Sequence, residues 1–298
     1  MTEAIVEPAE ADEPVRSKAT TESGRRLRWW RELLYVALFY GIYSAVRNKF
    51  GSAGGVGRES VAHAFGHAKD VIDIQKFFGL WFEPRLQHWY LSLPGRGGIR
   101  FWNIYYGTAH FVVTIVALVV MFRRQPDRYP VWRNTLAVMT ALALIGFASF
   151  TLMPPRLLGD TSLYGACHEQ KVEDCHGYAL EDTLEKYGGL WSFDSGAMAK
   201  VSNQYAAMPS LHTGWSTWCA LVFIPMLRRR WAKVLMALYP VATVFCILVT
   251  GNHYWLDAVG GLVVLGGGYL IGSAIARAIE GWNRRRAPAP AVAATSPS

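Results

Sequence analysis

The sequence predicts an all-α fold: an integral membrane bundle of six helices, with an amphipathic interfacial helix and an extracytoplasmic loop. Three observations carry that expectation. The 298 residues are 52% hydrophobic and only 17% charged, against about 25% charged in soluble domains. Six stretches approach the ~20 apolar residues that a membrane crossing needs. Short basic segments fall at alternate connections, as six crossings with both ends on one side require.

In chain order, residues 1–24 are acidic and rich in Pro, Ala, Thr and Ser. They lack an apolar core and are expected to form a disordered tail, not a cleaved signal peptide. The membrane domain is expected over residues 25–280, with spans near residues 30–46, 102–122, 132–152, 210–227, 234–249 and 254–276. Pro225 and Pro240 interrupt the fourth and fifth, and neighbouring helices can satisfy the carbonyl that a proline frees. Residues 281–298, with the run "RRRAPAPAVAATSPS", are expected to be a second disordered tail.

The basic segments are "RRLRWWR" (25–31), "FRRQPDRYPVWR" (122–133), "RRRWAK" (228–233) and "RRR" (284–286). They place both termini in the cytoplasm, in a bacterial plasma membrane, and the other connections outside. The net charge of +8 is then a topology signal, and charges scattered at helix ends argue against a nucleic-acid partner.

Residues 59–93 carry apolar side chains at helical spacing: Val61, Phe65, Ala68, Ile72, then Phe77, Leu80 and Trp81. That pattern fits a helix lying in the membrane interface. His63, His67 and His88 in this segment read as packed or solvated side chains. In the outer loop 154–208, "CHEQKVEDCH" offers Cys167, His168, Cys175 and His176. The cysteines are too far apart for the short knuckle of a structural zinc site, and an outer loop meets an oxidising compartment. A Cys167–Cys175 disulfide is therefore favoured over zinc. Cys219 and Cys246 lie inside helices and read as small apolar residues.

The expected topology brings three segments to the outer boundary: "TLMPPRLLGD" (151–160), "AAMPSLHTGW" (206–215) and "TGNHYWLD" (250–257). Each holds ionisable groups, namely Arg156, then His212, then His253 with Asp257. If a helix begins near Asn252, His253 and Asp257 share a face as i and i+4. Asp257 then accepts a hydrogen bond from one ring nitrogen of His253, and the other nitrogen keeps a nucleophilic lone pair. His212, just after Pro209 at a helix start, offers a second imidazole for proton transfer. Arg156 offers a fork of donors suited to phosphate or carboxylate. Helix starts at Pro209 and Asn252 add backbone donors for an anion, so Ser210 and Asn252 join Arg156 as expected phosphate-binding residues.

Together these groups form a phosphoryl-transfer set that needs no metal and no cofactor. A metal site finds two histidines and one aspartate here, but no H-E-x-x-H motif, and the arginine would repel the ion. Each residue taken singly also has a structural reading as a cap, a packed side chain or an interfacial anchor. Their convergence on one membrane face favours chemistry. Proton-coupled transport is the reading from another class. It places its ionisable groups mid-helix and often shows internal repeats, whereas these groups sit at helix mouths and no repeat is evident.

The segments "PPRL" (154–157), "MPSLHTGW" (208–215) and "TGNHYWLDAVGG" (250–261) resemble the type-2 phosphatidic acid phosphatase superfamily. They look most like its inositol-phosphotransferase branch, the inositol phosphorylceramide synthase-like proteins. The resemblance spans residues 30–276 or so. It implies a six-helix membrane core and catalysis through a covalent phosphohistidine. His253 is the implied nucleophile and Asp257 its partner. His212 is the implied acid for the leaving group and then base for the acceptor, and Arg156 holds the phosphate. The chain departs from the phosphatase form of the signature. Ser149 stands where that form has a lysine, Ile247 and Leu248 where it has Ser-Arg, and Leu211 where it has a glycine. These departures agree with the synthase-like branch.

The expected function is a membrane phosphotransferase that acts on a lipid phosphate or phospholipid at the outer leaflet, among membrane lipids. It passes a phosphorylated head, such as phosphoinositol, to an alcohol acceptor. With water as the acceptor, the same chemistry makes a lipid phosphate phosphatase of the phosphatidic acid or polyprenyl phosphate type.

Overall fold

The computed structural model describes residues 28–32, 34–38, 41, 58–170, 172–178, 180–190 and 204–286. The expected tail 1–24 and most of the expected first span, 30–46, lie outside the described residues. The described parts of that span are helical. The α-helices that follow are α1 (Arg58–Phe77), α2 (Glu83–Leu91), α3 (Ile99–Arg124), α4 (Tyr129–Ser149), α5 (Thr183–Tyr187), α6 (Leu211–Phe223), α7 (Arg230–Val249) and α8 (Trp255–Arg286).

Four helices among the described residues are long and apolar enough to cross a membrane, not six: α3 with the 3-10 turn ahead of it, α4, α7 and α8. The chain is an all-α integral membrane protein. The expected span 210–227 is the clearest correction. Its helix, α6, has 13 residues and gives way to a 3-10 turn over Ile224–Met226, which carries Pro225. At 1.5 Å per residue, α6 is about 20 Å long, short of the ~30 Å hydrocarbon core. It sits centrally and touches α3, α4, α7 and α8. Pro240 does not end α7, which runs through it to Val249. α8 extends past residue 276 to Arg286.

The bundle is built for lipid. Between Ile99 and Met121 at its ends, the buried residues of α3 are Asn103, Gly107, His110, Thr114 and Ala117. They recur every three or four positions, so one small and polar stripe faces inward. The large apolar side chains Phe111, Val112, Ile115, Val116 and Val119 point outward. Membrane helices pack through small residues because lipid offers no hydrophobic drive for burying large ones. α8 meets α4 in the same way: a Cβ on Gly272 would lie 2.6 Å from the Thr135 nitrogen, and one on Gly268 2.8 Å from the Thr135 oxygen.

The links set the polarity. α3 and α4 join through residues 125–128, α6 and α7 through a short turn, and α7 and α8 through residues 250–254. Arg123, Arg124, Arg128, Arg133, Arg229, Arg230 and Arg284–Arg286 therefore gather at one end of the bundle, and the N-termini of α6 and α8 lie at the other. Arg133 also holds Glu32 of the N-terminal helical segment, with Nη1 2.8 Å from both carboxylate oxygens.

Over the second end lies a cap. The amphipathic pattern of residues 59–93 becomes two helices, α1 and α2, separated by a turn in which Gly79 adopts φ 68°. Val61, Phe65, Ala68 and Ile72 of α1 are buried, together with Leu152, Leu157, Tyr164, Tyr205 and Tyr254. The apolar face of α1 is thus covered by the protein's own capping segments, which a reading of the helix alone could not show. Phe77 and Leu80 remain exposed. Cys167 and Cys175 are disulfide-bonded beneath this cap. His67 Nδ1 lies 2.7 Å from the Thr151 oxygen, and its ring stacks on Phe150.

Candidate active site

The site is assembled where α7 ends and α8 begins. Gly251 takes φ 69°. Its N–H donates to the Leu248 oxygen at 3.0 Å, and the Asn252 N–H donates to the Ile247 oxygen at 3.0 Å. This pair is a Schellman cap, in which a left-handed glycine lets the chain turn back over the last carbonyls. A Cβ on Gly251 would sit 3.0 Å from Gln87 Nε2 and 3.3 Å from Arg156 Cβ. The cap consumes the chain through Asn252, so α8 starts at Trp255, not near Asn252 as the sequence suggests. His253 precedes the helix instead of lying on it.

His253 and Asp257 nonetheless meet. Asp257 is the third residue of α8, and its Oδ2 accepts from the Tyr254 N–H at 2.9 Å, one half of a capping box. The same oxygen lies 3.2 Å from His253 Nδ1. The Ala207 carbonyl lies 2.8 Å from that nitrogen. Both neighbours are acceptors, so Nδ1 carries the proton and donates to them, and Nε2 keeps the lone pair. His253 is 4% exposed and Asp257 fully buried.

The other two segments are tied to this turn through the backbone. Arg156 N–H donates to the Gly251 oxygen at 2.8 Å, and Ser210 N–H donates to the Asp257 oxygen at 2.9 Å. Leu152 N–H donates to the Tyr205 oxygen at 2.8 Å, which links the first segment to the second. A Cβ on Gly261 would lie 2.3 Å from the Ser210 oxygen, so glycine is what lets α8 cross the start of α6. His212, the second residue of α6, thereby faces His253, with ring centroids 5.4 Å apart. Tyr106 of α3 stacks on His212 at 4.3 Å and 18°.

The expected phosphate-binding groups are placed as follows. The Arg156 guanidinium is 4% exposed and pairs with the Asp182 carboxylate through Nη1 and with Gln204 Oε1 through Nη2. Asp182 uses its other oxygen to cap α5, accepting from Leu184 N–H at 2.9 Å and Glu185 N–H at 3.1 Å. Ser210 caps α6, its Oγ accepting from Thr213 N–H at 3.4 Å. Asn252 Nδ2 donates to Thr250 Oγ1 at 2.9 Å. All three side chains are engaged with protein, and the backbones of Arg156 and Ser210 are bonded to Gly251 and Asp257 on either side of His253. Ser149 is exposed, and Ile247 and Leu248 are buried in an apolar cluster with Ala258.

Several contributors were not singled out from sequence. His110, on the inward stripe of α3, has its ring 4.2 Å from that of His212. Its signal was the stripe itself, in which an imidazole occupies one of the small or polar positions. Asp182 and Gln204 lie 26 and 48 residues from Arg156 and left no local mark. Glu83 of α2 accepts from the Trp255 N–H at 3.1 Å and from Gln75 Nε2 at 2.5 Å, placing a carboxylate at the N-terminus of α8. Burial pushes its carboxyl above the ordinary glutamate value, and the hydrogen bond from Gln75 opposes that.

Cys167, Cys175 and His176 cluster, but the disulfide occupies both sulfurs, so they offer no thiolate for a metal. Asp160, Asp182 and Glu185 also approach one another, with Asp182 already paired to Arg156.

No curated protein and no solved structure matches the chain. A family model does: the model described as the PAP2 superfamily matches residues 69–271, which take in α2 to α7, most of α8 and the three segments around His253, His212 and Arg156. The match covers more than half of the chain, and on it the protein belongs to the PAP2 superfamily.

Proposed function

We propose that the protein transfers a phosphorylated group from a lipid-linked donor to an acceptor through a phosphohistidine at His253. The PAP2 superfamily comprises lipid phosphate phosphatases and phosphotransferases that generally work without a metal. The observation that carries the proposal is the hydrogen bonding of His253. Two acceptors hold the proton on Nδ1, so Nε2 is basic and free to attack. Asp257 stabilises the imidazolium as phosphorus bonds. His212, 5.4 Å away between ring centroids, protonates the leaving oxygen and then takes the proton of the acceptor. The donors around Arg156 stabilise the phosphoryl oxygens once phosphate displaces part of its contact with Asp182 and Gln204.

The finer reading is transfer of a phosphodiester head, phosphoinositol being the example, to an alcohol. A phosphomonoester brings two charges to the site, and a phosphodiester brings one. Buried apolar Ile247 and Leu248, and exposed Ser149, stand where the phosphatase form of the signature has a serine and two cations. A site with fewer cations suits the less charged group. Hydrolysis is the second reading, supported by the same histidine pair, and differs only in the acceptor. The basic residues at one end of the bundle support a reading with that end in the cytoplasm and the site outside.

The test is to incubate the purified protein with radiolabelled phosphatidylinositol or phosphatidic acid, with and without a long-chain alcohol. A new labelled phosphodiester that depends on the alcohol supports transfer. Labelled inositol phosphate or free phosphate alone, unaffected by alcohol, supports hydrolysis and sinks the finer reading.

A further inference from the structure

His110 is used by nothing described so far. It lies on the inward stripe of α3, one turn beyond Tyr106, and is 8% exposed. Its Nδ1 is buried, and no side chain among the described residues hydrogen-bonds to it. Its ring lies edge-to-face against His212, with centroids 4.2 Å apart. The two histidines of the reaction differ in their support. His253 has Asp257 and the Ala207 carbonyl. No carboxylate pairs with His212 among the described residues; its ring neighbours are Tyr106, His110 and His253.

We propose that His110 is a positioning residue for His212: its ring packs edge-to-face against the His212 imidazole and holds it in the orientation from which His212 delivers and recovers a proton. The inference rests on the reaction proposed above. In the first step the bond from His253 Nε2 to phosphorus forms, the bond from phosphorus to the leaving oxygen breaks, and the His212 imidazolium gives one proton to that oxygen. In the second, the acceptor oxygen bonds to phosphorus, the Nε2 bond breaks, and the acceptor's proton returns to His212. His212 is thus an imidazolium at the start, a neutral imidazole at the intermediate and an imidazolium at the end. Asp257 is committed to His253, so ring packing orients His212 in place of a carboxylate.

The titratable groups facing His110 are His212 from α6 and His253, with Asp257 behind it, from the turn and start of α8. The charged residues of α4 and α7 lie in their first turns, at the opposite end of the bundle.

The experiment compares full-length wild type with His110→Phe and His110→Asn, using phosphorus-radiolabelled phosphatidylinositol and phosphatidic acid as probes. It reads kcat, KM, the pH profile of kcat, and alkali-stable label on His253 in a single turnover. His110→Phe is expected to lower kcat about 10–100-fold with KM within about 2-fold, since it weakens acid–base catalysis without removing the acid. The alkaline limb of its pH profile, which reports loss of the proton that His212 delivers, is expected to shift, and His253 is still labelled. His110→Asn, which keeps a polar nitrogen near the Nδ1 position, is expected to lose about 5-fold with the same shift, and it decides the matter if His110→Phe does not fold. Wild-type kcat and an unchanged pH profile in whichever variants fold would overturn the role of His110 while leaving label on His253. Absence of label from wild-type His253 overturns the reaction itself, and the role of His110 with it.

Discussion

His253 owes its proposed role to two oxygens that fix one of its protons. His253→Ala removes the nucleophile, and turnover of a lipid phosphate is expected to fall by about 10⁴-fold or more. His212→Ala removes the acid and is expected to cost about 10²–10⁴-fold. His212→Ala should keep the wild-type thermal unfolding profile in detergent, whereas His253→Ala also loses the bonds to Ala207 and Asp257 and is expected to unfold at a lower temperature. A His253→Ala protein with wild-type turnover would refute the assignment. Arg156 behaves differently. Its guanidinium is buried against Asp182, and removing one partner of such a pair costs about 3–5 kcal/mol. Arg156→Ala is therefore expected to lower both stability and activity, whereas His212→Ala lowers activity alone. Unfolding and activity measured on the same preparations separate the two. The His253–Asp257 pair was legible in sequence because four residues is a local distance. The partners of Arg156 were not, because Asp182 and Gln204 come from far along the chain and no periodicity encodes a loop. His110 was hidden for another reason: a lone histidine in an apolar helix declares itself only when the inward stripe is traced.

At the scale of elements, the site depends on how helices end. The Schellman cap at Gly251 stops α7, and the acidic third residue of α8 starts the next helix, with His253 caught between them. Glu83 of α2 supports that start from outside. Its carboxyl is held above the ordinary range by burial, so the folded protein binds that proton more tightly than the unfolded chain does. Its contribution is then fully present at low pH and is lost as pH rises through the raised value. Thermal unfolding of wild type and Glu83→Gln in detergent, from about pH 4 to about pH 8, is expected to show the stability difference moving against wild type as pH rises. A pH-independent difference would contradict the assignment. The amphipathic spacing of Val61, Phe65, Ala68 and Ile72 predicted a helix over the right residues. It did not say that the capping segments cover its face, since periodicity reports that a face is apolar and not what lies against it. The start of α8 was misjudged by three residues because Asn252 suits a helix start, while here it completes the cap of the helix before.

At the scale of the whole molecule, composition and basic segments were enough to give a membrane bundle with one charged end. Among the described residues the number of spans was overcounted because apolarity alone does not report helix length. The run 210–227 is apolar throughout, yet its helix stops at Phe223 ahead of Pro225. The short central α6 brings His212 between α3 and the α7–α8 turn. The proposed chemistry draws only on imidazoles, a carboxylate and a guanidinium, so EDTA is expected to leave turnover unchanged, and loss restored by a divalent ion would contradict it. The most direct measurement of the central claim is a rapid-quench turnover with phosphorus-radiolabelled phosphatidylinositol and phosphatidic acid, stopped in alkali, where phosphohistidine survives, and followed by mapping of the label. The account predicts label on His253, lost in His253→Ala and discharged when an alcohol acceptor is added. Turnover with no labelled protein, or label that persists in His253→Ala, would contradict it.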